Sequence, residues 1–295
     1  MLGVVPTPSF VSDAVAARLR LFLDRMRGES ADYGADAEGL IDSAADTLVG
    51  GKRLRARFCH AGWQAVARFG DRDAEESAAL WDVCAALEIF QSAALVHDDL
   101  IDNSDTRRGR PAAHRALESA HVGAGWRGDP AAFGRSSAIL LGDLLVAWSD
   151  DLLEDAIEPL PHAAAVRREY GRMRRDVTVG QFLDIAEESA WSVHATDSHV
   201  ERALRVVSFK SARYSIEQPL VLGAAIADAD DDQLLALRRF GHPVGMAFQL
   251  RDDLLGVYGD AAVTGKPAGD DLREGKRTVC LLYTSPSPRD QRGSR

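Results

Sequence analysis

The residues best placed to do chemistry are carboxylates. His97-Asp98-Asp99-Leu100-Ile101-Asp102 closes one long apolar stretch, and Phe248-Gln249-Leu250-Arg251-Asp252-Asp253 closes another. On a helix, an i, i+4 spacing puts Asp98 and Asp102 on one face. Like charges at that spacing repel, and carboxylates at a helix C-terminus oppose its dipole, so one such run alone reads equally as a solvated acidic turn. Two of them fit better with hard divalent cations that bridge carboxylates to a ligand. Mg²⁺ suits this arrangement, because it takes one or two carboxylates and fills its shell with phosphate oxygens and water.

Cations complete the picture. Gly50-Gly51-Lys52-Arg53-Leu54-Arg55 reads as a glycine pair opening into a helix start, where free N–H groups and basic side chains can hold a phosphate. Arg107-Arg108-Gly109 follows Asp102 closely and offers two planar forks for phosphate oxygens. His97 and His114 are isolated, and such histidines are read as core or surface groups rather than metal ligands.

The elements that must position these residues are helices. Alanine and leucine recur at helical spacing while alternating β-branched runs are nearly absent, so the fold class expected is all-α. Ser77–Asp102 is the clearest helix; others are expected over about 12–27, 38–48, 54–69, 137–156, 163–188, 198–226 and 232–258. Pro219 and Pro243 are expected to kink or split the last two. The stretches Gly50-Gly51, Gly109-Arg110-Pro111 and Gly123–Gly134 read as breakers between helices.

Composition narrows the function. The chain has 295 residues, 46% of them apolar, and a net charge of −10, which argues against nucleic acid as a partner because backbone binding needs a broad basic face. An anionic ligand must therefore meet local cations or metal. Cys59, Cys84 and Cys280 have neither disulfide-framework nor zinc-site spacing and suit a reducing compartment, so a cytoplasmic protein is expected. Met1–Phe10 lacks the features of a secretory signal, and no run reaches about 18 uninterrupted apolar residues, so no membrane span is expected.

The motifs together resemble those of the trans-isoprenyl diphosphate synthases, the polyprenyl synthetase family that includes farnesyl and geranylgeranyl diphosphate synthases. The matching segments are Gly50–Arg55, the run His97–His114, Gly142-Asp143, Gly180-Gln181 with Asp184, Lys210-Ser211-Ala212, Phe248–Asp253, Thr264-Gly265-Lys266 and Gly275–Thr278. They cover most of the chain in the family's order.

That resemblance implies a single large helical bundle around a central cavity, and a reaction. An allylic diphosphate ionises, the double bond of isopentenyl diphosphate attacks the carbocation, and a proton is lost. It implies three Mg²⁺ ions held by Asp98, Asp102 and Asp252 around the leaving diphosphate, with Asp99 and Asp253 in support and Arg107, Lys210 and Lys266 on the same group. It implies an isopentenyl diphosphate site of Lys52, Arg55, Arg108 and Gln91, the last standing where many relatives have histidine. Ser211, in place of the more usual threonine, and Gln249 would lie along the carbocation. A homodimer is implied too.

The chain departs from the pattern in places. The second acidic motif has Gly256 where a third carboxylate is usual, with Asp260, Asp270 and Asp271 nearby. The helices that follow Lys276-Arg277-Thr278 in the family are expected to be missing, leaving a synthase domain over 1–282. Leu281–Arg295 resembles translated adaptor read-through, and 283–295 is expected to be a disordered, non-native tail. In the family, bulk on the helix before the first motif sets product length, and Ala93 and Ala94 leave that path open as far as Phe90, about one 5.4 Å turn deeper, which implies geranylgeranyl diphosphate or a slightly longer product. Two rival readings are a class I terpene cyclase, which lacks need of Lys52, Arg55 and Arg108, and a non-catalytic partner subunit, hinted at only by Gly256.

Overall fold

The computed structural model describes residues 8–67, 74–190, 193–259, 278, 279 and 282. Their architecture is all-α, with one two-stranded ladder. The order is α1 (Pro8–Glu29), α2 (Ala35–Thr47), α3 (Leu54–Val66), α4 (Ala74–Ile101), β1 (Thr106–Arg107), β2 (Arg110–Pro111), α5 (Ala113–Gly123), α6 (Pro130–Ile157) and α7 (Ala163–Ala190). There follow α8 (His199–Val206), a π-helical segment Val207–Glu217, α9 (Gln218–Ile226) and α10 (Asp231–Tyr258). The chain divides into two compact units, Met1–Arg167 with Leu222–Ala229, and Arg168–Val221 with Asp230–Arg295.

In the first unit, α4 is the axis. Its residues from Ala79 to Phe90 are nearly all buried, the pattern of a helix enclosed on every side. Leu80, Leu87 and Ile89 of α4 and Leu141, Leu145, Leu153 and Ile157 of α6 are among the fully buried side chains, each contributing roughly 1.5–3 kcal/mol. Ser149 on α6 donates its hydroxyl to the Ala86 carbonyl of α4 at 2.6 Å, so the polar group inside this core is satisfied.

The helix α6 starts seven residues earlier than its periodicity predicts, at Pro130 rather than Ser137. The cause is local: Asp129 caps the helix by accepting from Ala131 N at 2.9 Å, and proline fits the first turn, where its missing N–H costs nothing. Gly134 then lies inside α6 because any side chain there would collide with the His114 carbonyl of α5. The helix α5, for which no element is expected, lies between the expected breakers at 109–111 and 123–134, the first of which contains β2.

By length and composition Ser77–Ile101 and α6 could each cross a membrane. The apolar window of the first is mostly buried within the fold and serves as its core; that of α6 is mostly not buried, and α6 exposes Ile139 and Leu140.

In the second unit, the expected single helix over 198–226 is three pieces, with the π-helical segment in the middle. Pro219 stands at the second residue of α9, where that segment gives way to α-helix. The π-helical backbone is pressed from two sides: a side chain at Gly180 of α7 would collide with Lys210, and a Cβ at Gly245 of α10 would sit 2.7 Å from the Ala212 Cα. Pro243 does not split α10, which runs unbroken through it. That residue is exposed, so water can meet the Arg239 carbonyl its ring leaves unbonded. A capping box, Asp230 with Gln233, starts α10.

Candidate active site

In the first unit, α4 delivers the acidic run. The helix ends at Ile101, and Asp102 N still donates to the Asp98 carbonyl at 2.8 Å, so these two side chains stand one turn apart as their spacing predicts. The chain then reverses through Asn103, at φ +52°, and Ser104 N closes onto the Asp99 carbonyl at 2.8 Å. This exit feeds the β1–β2 hairpin, where Arg107 pairs with Arg110 across a two-residue turn. Both turn residues, Arg108 and Gly109, have positive φ (+55° and +73°), the backbone such a tight turn requires. For an arginine that conformation is uncommon, and it displays the Arg108 side chain at the hairpin tip.

Of the three carboxylates, Asp99 is different. It is 3% exposed and accepts from Arg107 Nε at 2.8 Å, with a second contact from Arg107 Nη2. Burial pushes the Asp99 carboxyl up from its ordinary value, against the opposing pull of Arg107. Burial weakens the Arg107 charge, but its hydrogen bond to Asp99 and the fields of Asp99, Asp98 and Asp102 outweigh that and raise its pKa. Asp98 and Asp102 are both half-buried. His97 packs against α6 where Gly142 leaves room, with its Nε2 3.2 Å from the Ile139 carbonyl and 3.6 Å from Asp143. That gives Gly142-Asp143 a structural reason.

Lys52, Arg55, Gln91 and Arg108 lie in the same unit. Gly50 and Gly51 have φ of +76° and +90°, and a Cβ at Gly51 would sit 3.0 Å from the Arg108 guanidinium. Arg108 Nη1 donates to the Val49 carbonyl at 3.3 Å; burial and the charge of Arg53 lower its pKa. Ser92 of α4 holds Thr47 at 3.2 Å. The start of α3 is not wholly open, since Ala56 N donates to the buried Glu88 carboxylate at 3.2 Å.

In the second unit, Lys210 and Ser211 lie on the π-helical segment, and Lys210 Nζ donates to Asp184 of α7 at 2.5 Å. On α10, Gln249 Nε2 donates to Asp253 Oδ1 at 2.7 Å; Asp253 is 5% exposed while Asp252 is exposed. Lys266, with Asp260, Asp270, Asp271 and the segments 264–266 and 275–277, lies outside the described residues, as does the tail 283–295. Among the described residues no three His, Cys, Asp or Glu side chains converge as a metal site built from protein alone.

The Polyprenyl synthetase family model matches residues 38–293. The chain belongs to the polyprenyl synthetase family. Over 200 residues it is 38% identical to a geranylgeranyl diphosphate synthase of Mycobacterium tuberculosis, a match covering 68% of this chain and 51% of that protein. Over 275 residues it is 32% identical to heptaprenyl diphosphate synthase component 2 of Geobacillus stearothermophilus, covering 93% of this chain and 73% of that one. The chain thus spans about half the length of the M. tuberculosis relative. Its fold superposes on the Corynebacterium glutamicum geranylgeranyl pyrophosphate synthase, a crystal structure with isoprenyl diphosphate and magnesium, with TM-score 0.87 and 41% identity, covering 97% of this chain and 84% of that one.

Seen as a family member, the chain carries supporting residues, of which only Arg53 lies within a motif already singled out. Arg53 and Glu88 brace the start of α3, and Asp176 receives both Arg213 at 3.1 Å and Gln218 at 3.0 Å. Glu88 sits in an apolar run, and only its distant partners reveal a purpose. A buried acid there was the available signal, because an unpaired one is costly.

Proposed function

We propose that the chain is a trans-polyprenyl diphosphate synthase, joining isopentenyl diphosphate head-to-tail to an allylic diphosphate, with geranylgeranyl diphosphate as product. The observation that carries this reading is the end of α4: Asp98 and Asp102 one turn apart, Asp99 tied to Arg107, and Lys52, Arg55 and Arg108 in the same unit. Among the described residues no three metal-ligating side chains converge, which suits Mg²⁺ because it leaves most of its shell to phosphate and water. Asp98, Asp102 and Asp252 are the residues proposed to hold it, in three ions as the resemblance implies. Bound there, Mg²⁺ supplies positive charge to the departing diphosphate.

The protein's own groups do the rest. The allylic C–O bond breaks, its electron pair leaving on diphosphate, and Arg107, Lys210 and Lys266 stabilise that developing charge more than the ground state. Lys52, Arg55, Arg108 and Gln91 hold isopentenyl diphosphate so that its double bond forms the new C–C bond. Ser211 and Gln249 offer oxygen lone pairs to the cation, and the released diphosphate takes the proton. Relatives' names run from farnesyl through geranylgeranyl to heptaprenyl, so the C20 product rests on Ala93, Ala94 and Phe90 alone. A homodimer is supported by the apolar Ile139 and Leu140 exposed on α6, and a cytoplasmic setting by the free buried thiols Cys59 and Cys84.

Incubation with labelled isopentenyl diphosphate, each allylic primer and Mg²⁺ tests the proposal. A labelled C20 diphosphate with released diphosphate is expected. A cyclic hydrocarbon would make the protein a cyclase, and no product from folded protein would make it a non-catalytic subunit.

A further inference from the structure

Four cations, Lys52, Arg53, Arg55 and Arg108, crowd the segment that starts α3, and the positive end of that helix adds to them. Buried beside them is one carboxylate. Glu88 is 5% exposed, its Oε2 lies 3.5 Å from Arg53 Nη1, and its Oε1 accepts from Ala56 N at 3.2 Å. Arg53 is itself 9% exposed, stands at φ +48°, and donates from Nη2 to the Leu48 carbonyl at 2.5 Å. Tied at both sides, Arg53 is a strut between the glycine loop and α4. It is turned inward and held, while Lys52 is exposed.

We propose that Glu88 is a positioning residue for diphosphate binding: by fixing Arg53 and occupying the start of α3 it sets the loop that presents Lys52, Arg55 and Arg108. The diphosphate is then gripped by side-chain cations and not by the helix N-terminus. This rests on the reading of those residues as the isopentenyl diphosphate site.

Glu88→Gln is the mild variant, since its amide oxygen still accepts from Ala56 while the charge facing Arg53 is gone. Binding of inorganic pyrophosphate is measured by calorimetry in EDTA, which silences the metal-dependent site, beside KM for each substrate and a thermal melt. A through-space charge effect alone would tighten pyrophosphate, because an anion has been removed from among cations. Positioning gives the opposite sign: pyrophosphate weakens and KM for isopentenyl diphosphate rises on the order of 10-fold, with KM for the allylic substrate within about 2-fold. Arg53→Gln should give the same selective loss, and the double variant should be no worse than either single one. That second variant carries the test if Glu88→Gln does not fold. Pyrophosphate bound as well as or better than by wild type, or not bound by wild type at all, overturns the proposal. Wild type that binds pyrophosphate yet makes no prenyl product sinks the synthase reading alone.

Discussion

Asp99 receives Arg107 Nε at 2.8 Å inside the end of α4, so the middle carboxylate of the acidic run is committed to a protein cation and its neighbours are not interchangeable with it. The pairing orients a guanidinium toward the side where Asp98 stands, with Arg107 Nη2 3.8 Å from Asp98 Oδ2. A planar fork makes two bonds to one carboxylate, which a lysine cannot copy.

Arg107→Lys therefore keeps the charge but loses the fork. Urea unfolding should show a loss of about 1.5–3 kcal/mol, the worth of a hydrogen bond to a charged group. Prenyl transfer should fall by roughly 10–100-fold in kcat/KM. A lysine variant as stable and active as wild type would show that the fork is unused.

Gly245→Ala tests the close approach of α10 to the π-helical segment. The new methyl would sit 2.5 Å from the Ala212 carbonyl oxygen, and the crowding should cost about 1–3 kcal/mol in a denaturant melt. An unchanged midpoint would mean the two backbones separate freely.

These two sites also show what could be read in advance. The spacing of Asp98 and Asp102 and the long apolar period of α4 were plain, because each depends on neighbours along one helix. The π-helical segment left no trace in the sequence, since its wider winding accompanies contacts to Gly180 and Gly245, which no local pattern encodes. The helix α5 was lost among Gly109, Pro111 and the glycines from 123, whose turn signals mask eleven helical residues. Glu88 was invisible for the opposite reason, a charge inside an apolar stretch whose partners Arg53 and Ala56 lie on another element.

Asp82 gives a pH dependence whose sign follows from burial. Desolvation raises its pKa above 3.8, with Arg18 and Arg25 pulling the other way. The folded protein therefore favours the protonated form, so the stability this group contributes is full below pH 3.8 and is lost as pH rises through the raised folded value. Asp82→Asn does not titrate; its melting temperature relative to wild type should climb as pH rises through that window. A constant difference would contradict the shift.

Product length should answer to α4. Ala94 is half-buried and Phe90, one turn earlier, is 6% exposed. Ala94→Phe should move the product from C20 to C15 when chains are sized by chromatography. An unchanged C20 product would place the limiting wall elsewhere.

We propose that Asp98 and Asp252 are each needed for Mg²⁺-dependent prenyl transfer. The most direct test is Mg²⁺-dependent turnover of labelled isopentenyl diphosphate by Asp98→Ala, Asp252→Ala and Asp260→Ala, each confirmed as folded. Loss of turnover by at least about 10³-fold in the first two, with Asp260→Ala near wild type, is the expected result. Retained turnover in either Asp98→Ala or Asp252→Ala would contradict it.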